Sequence, residues 1–402
     1  MKTIAIAGTF DSKGTEYLYL KDLIESQGLK TLTIHAGVFE PEFEPDVSNK
    51  EVAEAAGEDI KKIAEKKDRA WATEVLTKGM EILVPKLYKD GKFDGIISMG
   101  GSGGTALVTP AMRALPVGVP KVMVSTMASG DTSRYVGTSD IVMIPSVVDV
   151  AGINSISSKI FANAAFAIAG MVTFENTKKV EHKPLIAATM FGVTTPCITM
   201  AKEYLEQQGY EVLVFHATGI GGQSMEALIR GGFIQGVLDL TTTEWCDEVV
   251  GGILAAGPHR NEAAALCGVP QVVSVGAVDM VNFGTYDSIP SQFAGRNLYK
   301  HNPAVTLMRT TVEENEEIGR RLSEKLNMAV DKTILMLPLK GVSMIDAEGE
   351  AFYGPKEDQA LFDTLKNNIT NDKVEIIEMD AHVNDEAFAI GAAKKLLELM
   401  NK

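Results

Sequence analysis

At 402 residues the chain exceeds the size at which one hydrophobic core stops growing, so two domains are expected. Its 45% hydrophobic and 23% charged residues are the composition of a globular protein rather than a disordered one. A net charge of −15 argues against nucleic acid as a direct partner, because a phosphate backbone is bound through Lys and Arg that release counterions.

The chain opens with MKTIAIAG, a strand from Thr3 to Ala7 rather than a secretory signal, since its apolar run is too short and no cleavage-like site follows. A loop, GTFDSKG, leads to a helix from about Thr15 to Ser26, which Gly28 ends before a strand at Lys30–His35. Residues 48–90 read as a long helical stretch rich in Ala, Glu and Lys. Strand Phe93–Met99 runs into GGSGGT and a helix to about Ala114; strands follow at Val122–Ser125 and Ile141–Ile144. Residues 151–172 read as a buried or interface helix, interrupted by Asn154, Lys159 and Asn163, and no stretch approaches a membrane span of about 18 apolar residues. The charged segment 175–184 is the expected linker, dividing the chain into lobes at 1–178 and 184–402.

The second lobe reads as strand, helix, strand Glu211–His216, the loop GIGGQSMEALI, strand Gly236–Leu240, TTTE, a helix to about Ala256 and strand Gln271–Val275. A loop region around 279–303 precedes VTLMRTT, a charged helix at 313–327, strand Thr333–Leu337 and a final helix at 385–400. Residues 4–37 align without a gap on 185–218, with nine identities that include Phe10/Phe191, Gly28/Gly209 and His35/His216. Random pairing gives roughly two. GVPKVMVS at 118–125 is echoed by GVPQVVSV at 268–275. The expected fold is therefore α/β: two Rossmann-like lobes with mainly parallel sheets, related by internal duplication, with a cleft between them.

In such sheets ligands bind where loops leave the carboxyl ends of strands. Gly100, Gly101, Ser102, Gly103, Gly104 and Thr105 follow a strand and open a helix, a setting for an anion such as phosphate, or simply a tight turn. Asp11, Ser12 and Lys13 could hold a phosphate and its magnesium, or form an Asx-type turn with an exposed Lys. Ser129, Gly130, Asp131 and Thr132 supply hydroxyls and a second carboxylate, or a plain turn. Gly101-x-Gly103-x-x-Ala106 is a variant dinucleotide fingerprint, but no acidic residue ends the next strand, KVMVST, as an NAD-dependent enzyme requires.

In the second lobe Gly221 and Gly222 repeat the glycine-rich strand-to-helix geometry, and Thr242, Thr243 and Glu244 offer a ligand-binding row or a plain strand end. His216 and His35 hold equivalent strand ends, as acid–base or ligand-contacting groups or as polar plugs. Arg296, His301 and Asn302, with Arg260, could bind an acidic substrate or make surface salt bridges. Neither the six histidines nor the cysteines Cys197, Cys246 and Cys267 have metal-site or disulfide-framework spacing, so no dedicated metal is expected.

GTFDSK, GGSGGT, VSTMASGDTSRYVG, HATGIGGQSMEALI, DLTTTEWCDEVVGG, DMVNFG and HNPAVTLMRTT occur in this order over essentially the whole chain. Together they resemble the Tm-one-like ATP-binding domain family, uncharacterised bacterial and fungal proteins similar to the N-terminal domain of the tomato tobamovirus-resistance protein. The resemblance implies two Rossmann-like subdomains, ATP binding in the first, and a homodimer. It implies no role in blocking viral replication for a free-standing homologue, and the TIM-barrel module that follows the plant domain is expected to be lacking here. Carried across, it places phosphates and magnesium near Gly8, Thr9, Asp11, Ser12 and Lys13, closed in by GGSGGT and Ser129–Thr132; the family's usual Asp-Thr-Lys is Asp-Ser-Lys here, with the hydroxyl kept.

The expectation is a cytoplasmic ATP-binding protein without membrane or nucleic-acid partners, a metabolic enzyme acting on a small acidic or sugar-derived substrate at the interlobe cleft. His216 and Asp11 are the candidate catalytic groups, with the second-lobe residues against the substrate. The competing expectation is a nucleotide-gated binding or regulatory protein without turnover.

Overall fold

In the computed structural model, which describes residues 1–174 and 183–401, two compact units form, Met1–Val180 and Glu181–Lys402. The segment expected as the linker lies outside the described residues apart from Lys183 and Pro184.

In the first unit, β1 (Thr3–Gly8), α1 (Gly14–Glu25) and β2 (Lys30–His35) make a βαβ unit, and Gly28 takes the left-handed conformation, φ +77°, that lets the chain leave the helix. The stretch 48–90 is three helices rather than one: α2 (Asn49–Ala55), α3 (Ile60–Lys66) and α4 (Arg69–Lys89). Left-handed residues Gly57 and Lys67 break it, and the side chains of Ser48, Asp59 and Asp68 each accept a backbone N–H at the start of the helix that follows. Then come β3 (Gly95–Gly100), α5 (Ser102–Arg113), β4 (Lys121–Ser125), α6 (Ser133–Val136), β5 (Val142–Pro145) and α7 (Ser157–Thr173).

The five strands are parallel in the order β2-β1-β3-β4-β5. Alternate residues of the central strands feed two cores. Ile4, Ile6, Ile97, Met99, Val122 and Val124 pack with Tyr17 and Leu20 of α1 and Phe161 and Ile168 of α7. Ala5, Ala7, Ile96 and Met123 face the side of Val52, Leu76, Met80, Val108 and Met112, from α2, α4 and α5. Burial on both faces is why these strands read as nearly continuous apolar runs. Within 151–172 the helix starts only at Ser157, because the Asn154 Oδ1 accepts the N–H groups of Ile156 and Ser157 at 2.9 Å and turns the chain first.

The second unit repeats the plan with β6 (Leu185–Met190), α8 (Thr195–Gln207), β7 (Glu211–His216), α9 (Ile220–Arg230), β8 (Gly236–Thr241), α10 (Glu244–Val250), α11 (Ala263–Cys267) and β9 (Gln271–Gly276). The helix after TTTE stops at Val250 instead of reaching Ala256, since Gly251 turns left-handed at φ +96°. The region read as a loop around 279–303 contains strands β10 (Met280–Phe283) and β11 (Leu298–Asn302), which with β12 (Val305–Arg309) form an antiparallel sheet ordered β10-β12-β11. The remainder is α12 (Val312–Leu326), β13 (Thr333–Pro338), α13 (Pro355–Asn368), β14 (Val374–Met379) and α14 (Glu386–Met400). The main sheet runs β7-β6-β8-β9-β13-β14, all parallel, which is the order of the first unit with one strand added. The two echoed segments, β4 and β9, occupy the same place in their sheets.

Candidate functional site

In the first unit the chain steps from β1 to β2 on one side and returns to β3 on the other, so the loops after β1 and β3 diverge and leave a crevice at the carboxyl end of the sheet. A cavity of about 760 Å³ occupies this crevice. Thr9, Asp11, Ser12 and Lys13 line it from the β1 loop, Gly101–Gly104 from the start of α5, and Ala36–Phe39 from the β2 loop. GTFDSK and GGSGG are thus brought together. The fourth wall comes from α3 and α4, part of the crossover from β2 to β3 that α9 alone makes between β7 and β8 in the second unit: Ile63, Ala64, Lys67, Asp68, Arg69, Ala72, Thr73 and Leu76.

Close backbone approach shapes the crevice. A Cβ on Gly8 would lie 2.0 Å from the Tyr17 Oη, and one on Gly37 would lie 2.3 Å from Asp11 Oδ1. His35, buried, ties the loops together: its Nδ1 accepts the N–H groups of Phe10 (3.1 Å) and Gly37 (3.3 Å), so the proton sits on Nε2, which donates to the Phe39 carbonyl at 2.9 Å. It is the polar plug of the two readings. Its ring stacks 5.4 Å from Phe10, and the duplicated pair repeats this, His216 lying 5.5 Å from Phe191.

The end of α5 carries the strongest anion-binding feature. Its N-cap, Gly101, makes no side-chain capping bond, and its first turn holds no acidic residue. The first hydrogen bond of the helix runs from Thr105 N–H to the Gly101 carbonyl at 3.0 Å, so the preceding N–H groups, of Ser102, Gly103 and Gly104, have no intrahelical acceptor. Lys13, Lys67 and Arg69 face Asp11 and Asp68 across the cavity, three cations against two anions in a chain of net charge −15. Asp68 is already engaged as the cap of α4, receiving the Trp71 N–H at 3.0 Å, and Asp11 Oδ2 accepts the Phe39 N–H at 2.9 Å. Lys13 Nζ donates to the Val150 carbonyl. Arg69 reaches the helix end, its Nη2 lying 3.8 Å from where a Gly103 Cβ would be.

Other predicted residues lie elsewhere. Thr105 is buried, its Oγ1 bonded to the Gly101 carbonyl (2.8 Å) and to Ser125 Oγ (2.6 Å). Ser129, Gly130, Asp131 and Thr132 are not among the cavity's lining residues; Asp131 accepts the Ser133 N–H at 2.9 Å, which closes a turn, and the Ser133 hydroxyl first and that N–H second lower the pKa of its exposed carboxyl.

In the second unit the glycine-rich loop has no free cradle. Glu244, 1% exposed, places Oε1 on the N–H groups of Gly219 (2.7 Å) and Gly222 (3.1 Å), while Oε2 receives Arg260 Nε at 2.6 Å. Arg260, equally buried, also donates from Nη2 to Asp239 Oδ1 at 2.7 Å, and Asp239 receives Thr189 Oγ1 and Asn261 Nδ2 at 2.7 Å each. Burial alone would lower the pKa of Arg260, but Asp239, Glu244 and Glu226 around it outweigh that and raise it. Gly221 and Gly222 are dictated by packing: a Cβ would lie 1.8 Å from the His216 carbonyl oxygen in one and 2.5 Å from Glu244 Oε2 in the other. Thr242 Oγ1 donates to the Ser274 carbonyl at 2.9 Å, and Thr243 is fully buried. The hydroxyl and carboxylate row read as a ligand rim is interior.

Arg296 is committed to a bidentate pair with Glu314 (2.9 and 2.7 Å), whose carboxylate also caps α12. His301 and Asn302 sit at the exposed tip of the β11–β12 hairpin, where Asn302 Oδ1 accepts the Ala304 N–H at 2.8 Å. The structure does not gather Arg296 with the second unit's glycine loop. Cys197 and Cys246 are buried thiols whose pKa values burial raises, Cys197 to about 12. Among the described residues no cluster of three or more His, Cys, Asp or Glu could hold a metal, and no helix is long and apolar enough to cross a membrane.

Comparison with known proteins agrees with the two-unit division. Models of the N-terminal and C-terminal domains of an uncharacterised protein family, UPF0261, match residues 2–177 and 183–400. A UPF0261 protein of Clostridium tetani is 59% identical over 402 residues, covering all of both chains, and one of Rhizobium meliloti is 43% identical over the same span. The tomato (Solanum lycopersicum) ToMV resistance protein Tm-1 is 46% identical over 340 residues, 83% of this chain but only 45% of its own length. The susceptible tomato protein is matched at the same 46%, so this likeness does not track resistance. Among solved structures, a Methanocaldococcus jannaschii UDP-GlcNAc 2-epimerase is 10% identical, with coverage of 100% of this chain and 93% of that one and a TM-score of 0.23, which carries no functional argument. The chain belongs to the uncharacterised protein family UPF0261, carrying both its N-terminal and its C-terminal domain.

Proposed function

We propose that the crevice of the first unit binds ATP, and that the protein is a metabolic enzyme using it on a small acidic or sugar-derived substrate. The observation that carries this reading is the uncapped, glycine-lined start of α5 opening into a cavity of about 760 Å³ with Arg69 beside it. That volume lies within the range of roughly 300–1,000 Å³ usual for small-molecule sites. The phosphates would rest on the N–H groups of Ser102, Gly103 and Gly104, where the helix dipole favours negative charge, with Arg69 and Lys67 neutralising them. Ile63, Ala72, Leu76 and Leu107 give the apolar surface that a purine base needs.

Magnesium fits as a passenger of the phosphates rather than as a resident ion. It is commonly held by one or two carboxylates plus substrate phosphates, and the crevice offers Asp11 with one oxygen taken by the Phe39 N–H.

Isothermal titration of the whole chain with Mg-ATP tests the proposal. Arg69→Ala is expected to weaken binding about tenfold or more, the loss of one charge-assisted contact of roughly 1.5–3 kcal/mol. Absence of ATP binding by the wild-type chain, or an unchanged affinity in Arg69→Ala, overturns the site. Tight ATP binding with no product from any acid or sugar tested favours the nucleotide-gated regulatory protein instead.

A further inference from the structure

A second cavity, of about 410 Å³, lies along another face of α5 and shares Ser102 and Gly103 with the first. Its far end is formed by Arg113, in the last turn of α5, and by Arg134 and Tyr135 of α6. We infer that this groove is the subsite for a second small anion, a molecule whose carboxylate or phosphate group is held by Arg113 and Arg134 while its other end points to Ser102. The inference deepens the nucleotide reading and rests on it for the identity of the neighbour, but not for the anion site itself.

Charge is the first argument. The lining holds two arginines and no acidic residue, in a chain of net charge −15. Among the described residues neither arginine has a carboxylate within ion-pair distance, whereas Arg260, Arg296, Arg309 and Arg320 all do. Arg113 instead uses Nη1 alone, donating to the carbonyls of Arg134 (3.2 Å) and Tyr135 (2.7 Å). This fixes the fork of the guanidinium and leaves Nε and Nη2 for a bidentate oxyanion.

Preorganisation is the second. Arg134 Nη2 donates to the Tyr135 Oη at 2.9 Å, and its guanidinium carbon lies 4.8 Å from the centre of that ring. The hydrogen bonds of both arginines go to neutral groups, with Glu81 acting on Arg113 and Asp131 on Arg134 only through space, so a ligand would not have to displace a hydrogen-bonded carboxylate to reach them.

Dimensions are the third. Thr109 and Pro110, one helical turn back from Arg113, and Ala106 beyond them line the groove between the arginines and Ser102. The groove thus suits an extended acid, such as a sugar phosphate or a dicarboxylate, with its uncharged end next to the helix start where the nucleotide phosphates are proposed to lie.

Titration of the full chain with glucose 6-phosphate and with succinate, each with and without saturating ATP, tests the inference and separates the phosphate from the carboxylate source. At least one probe is expected to bind in the millimolar range or tighter. Arg134→Ala is expected to weaken it about tenfold while changing ATP affinity less than twofold and leaving the melting temperature in place. Arg113→Lys, which keeps the charge but loses the fork, is expected to weaken it as well. Binding that is unchanged in both variants, or no binding of either probe to the wild-type chain, overturns the subsite. Loss of ATP binding with intact probe binding overturns the nucleotide reading alone.

Discussion

Glu244→Ala should destabilise the second unit by about 3–5 kcal/mol, the range found when one partner of a buried ion pair is removed. The carboxylate it deletes is the common acceptor of Arg260 Nε and of the N–H groups of Gly219 and Gly222, so three donors lose their partner in a place without solvent. Alanine also leaves a void of carboxylate shape at the start of α9, against Gly222, where no Cβ fits beside Glu244. A small carboxylate from solution should fill that void. Urea unfolding of the variant is therefore expected to move to higher midpoint as acetate replaces chloride at constant ionic strength, with no such shift in the wild-type chain. A variant within 1 kcal/mol of wild type, or one indifferent to acetate, would show that the network does not act as an internal anion site.

The same geometry explains which parts of the site were legible in the sequence. The duplication announces itself through local features: apolar runs buried on both faces, and Gly28 and Gly209, each at the left-handed turn after its helix. Strands β2 and β7 accordingly begin and end where the residues suggested. GTFDSK and GGSGG converge because a parallel sheet delivers all its strand ends to one edge. Charge pairing is different, since it depends on tertiary distance. Nothing near TTTE indicates that Glu244 bonds back to Gly219 and Gly222, or that Arg260 lies between Glu244 and Asp239. Arg69 escaped notice for a similar reason: 48–90 read as a plain helical stretch, although KKDRA marks a break with Asp68 as a cap. The antiparallel strands around 279–303 escaped because β11, LYKHN, is mostly exposed and shows no clear apolar alternation.

Rising pH should weaken the second unit between about pH 4 and pH 8, the reverse of ordinary acid denaturation. Arg309, buried, donates to Asp358 at 2.7 Å and to Asp346 at 3.3 Å, and Asp279 lies in its field, so three carboxyls share one cation. Burial is the main cause that pushes Asp358 up to about 8, with Asp346 adding to it, and that pushes Asp346 and Asp279 each to about 6. Asp247, bonded to Asn282, is raised by burial to about 7. In the unfolded chain all four release their protons near pH 4. Above that pH the folded chain retains protons the unfolded chain has lost, so each group's contribution is complete below about pH 4 and fades until its folded pKa is passed, at up to about 1.4 kcal/mol per pH unit. In this unit Glu262 and Glu317, whose pKa values are lowered by hydrogen bonds to lysine and arginine partners, act with the opposite sign. Their stabilisation is lost only as pH falls below about 4, which leaves the higher window to the buried set. Asp358→Asn removes the strongest of these titrations while keeping the side chain's shape. Compared by urea unfolding at pH 5 and pH 8, the variant should gain on the wild-type chain by about 2 kcal/mol or more as pH rises. Parallel pH profiles for the two proteins would mean that Asp358 is ionised throughout, and that Arg309 carries its carboxylates without a shared proton.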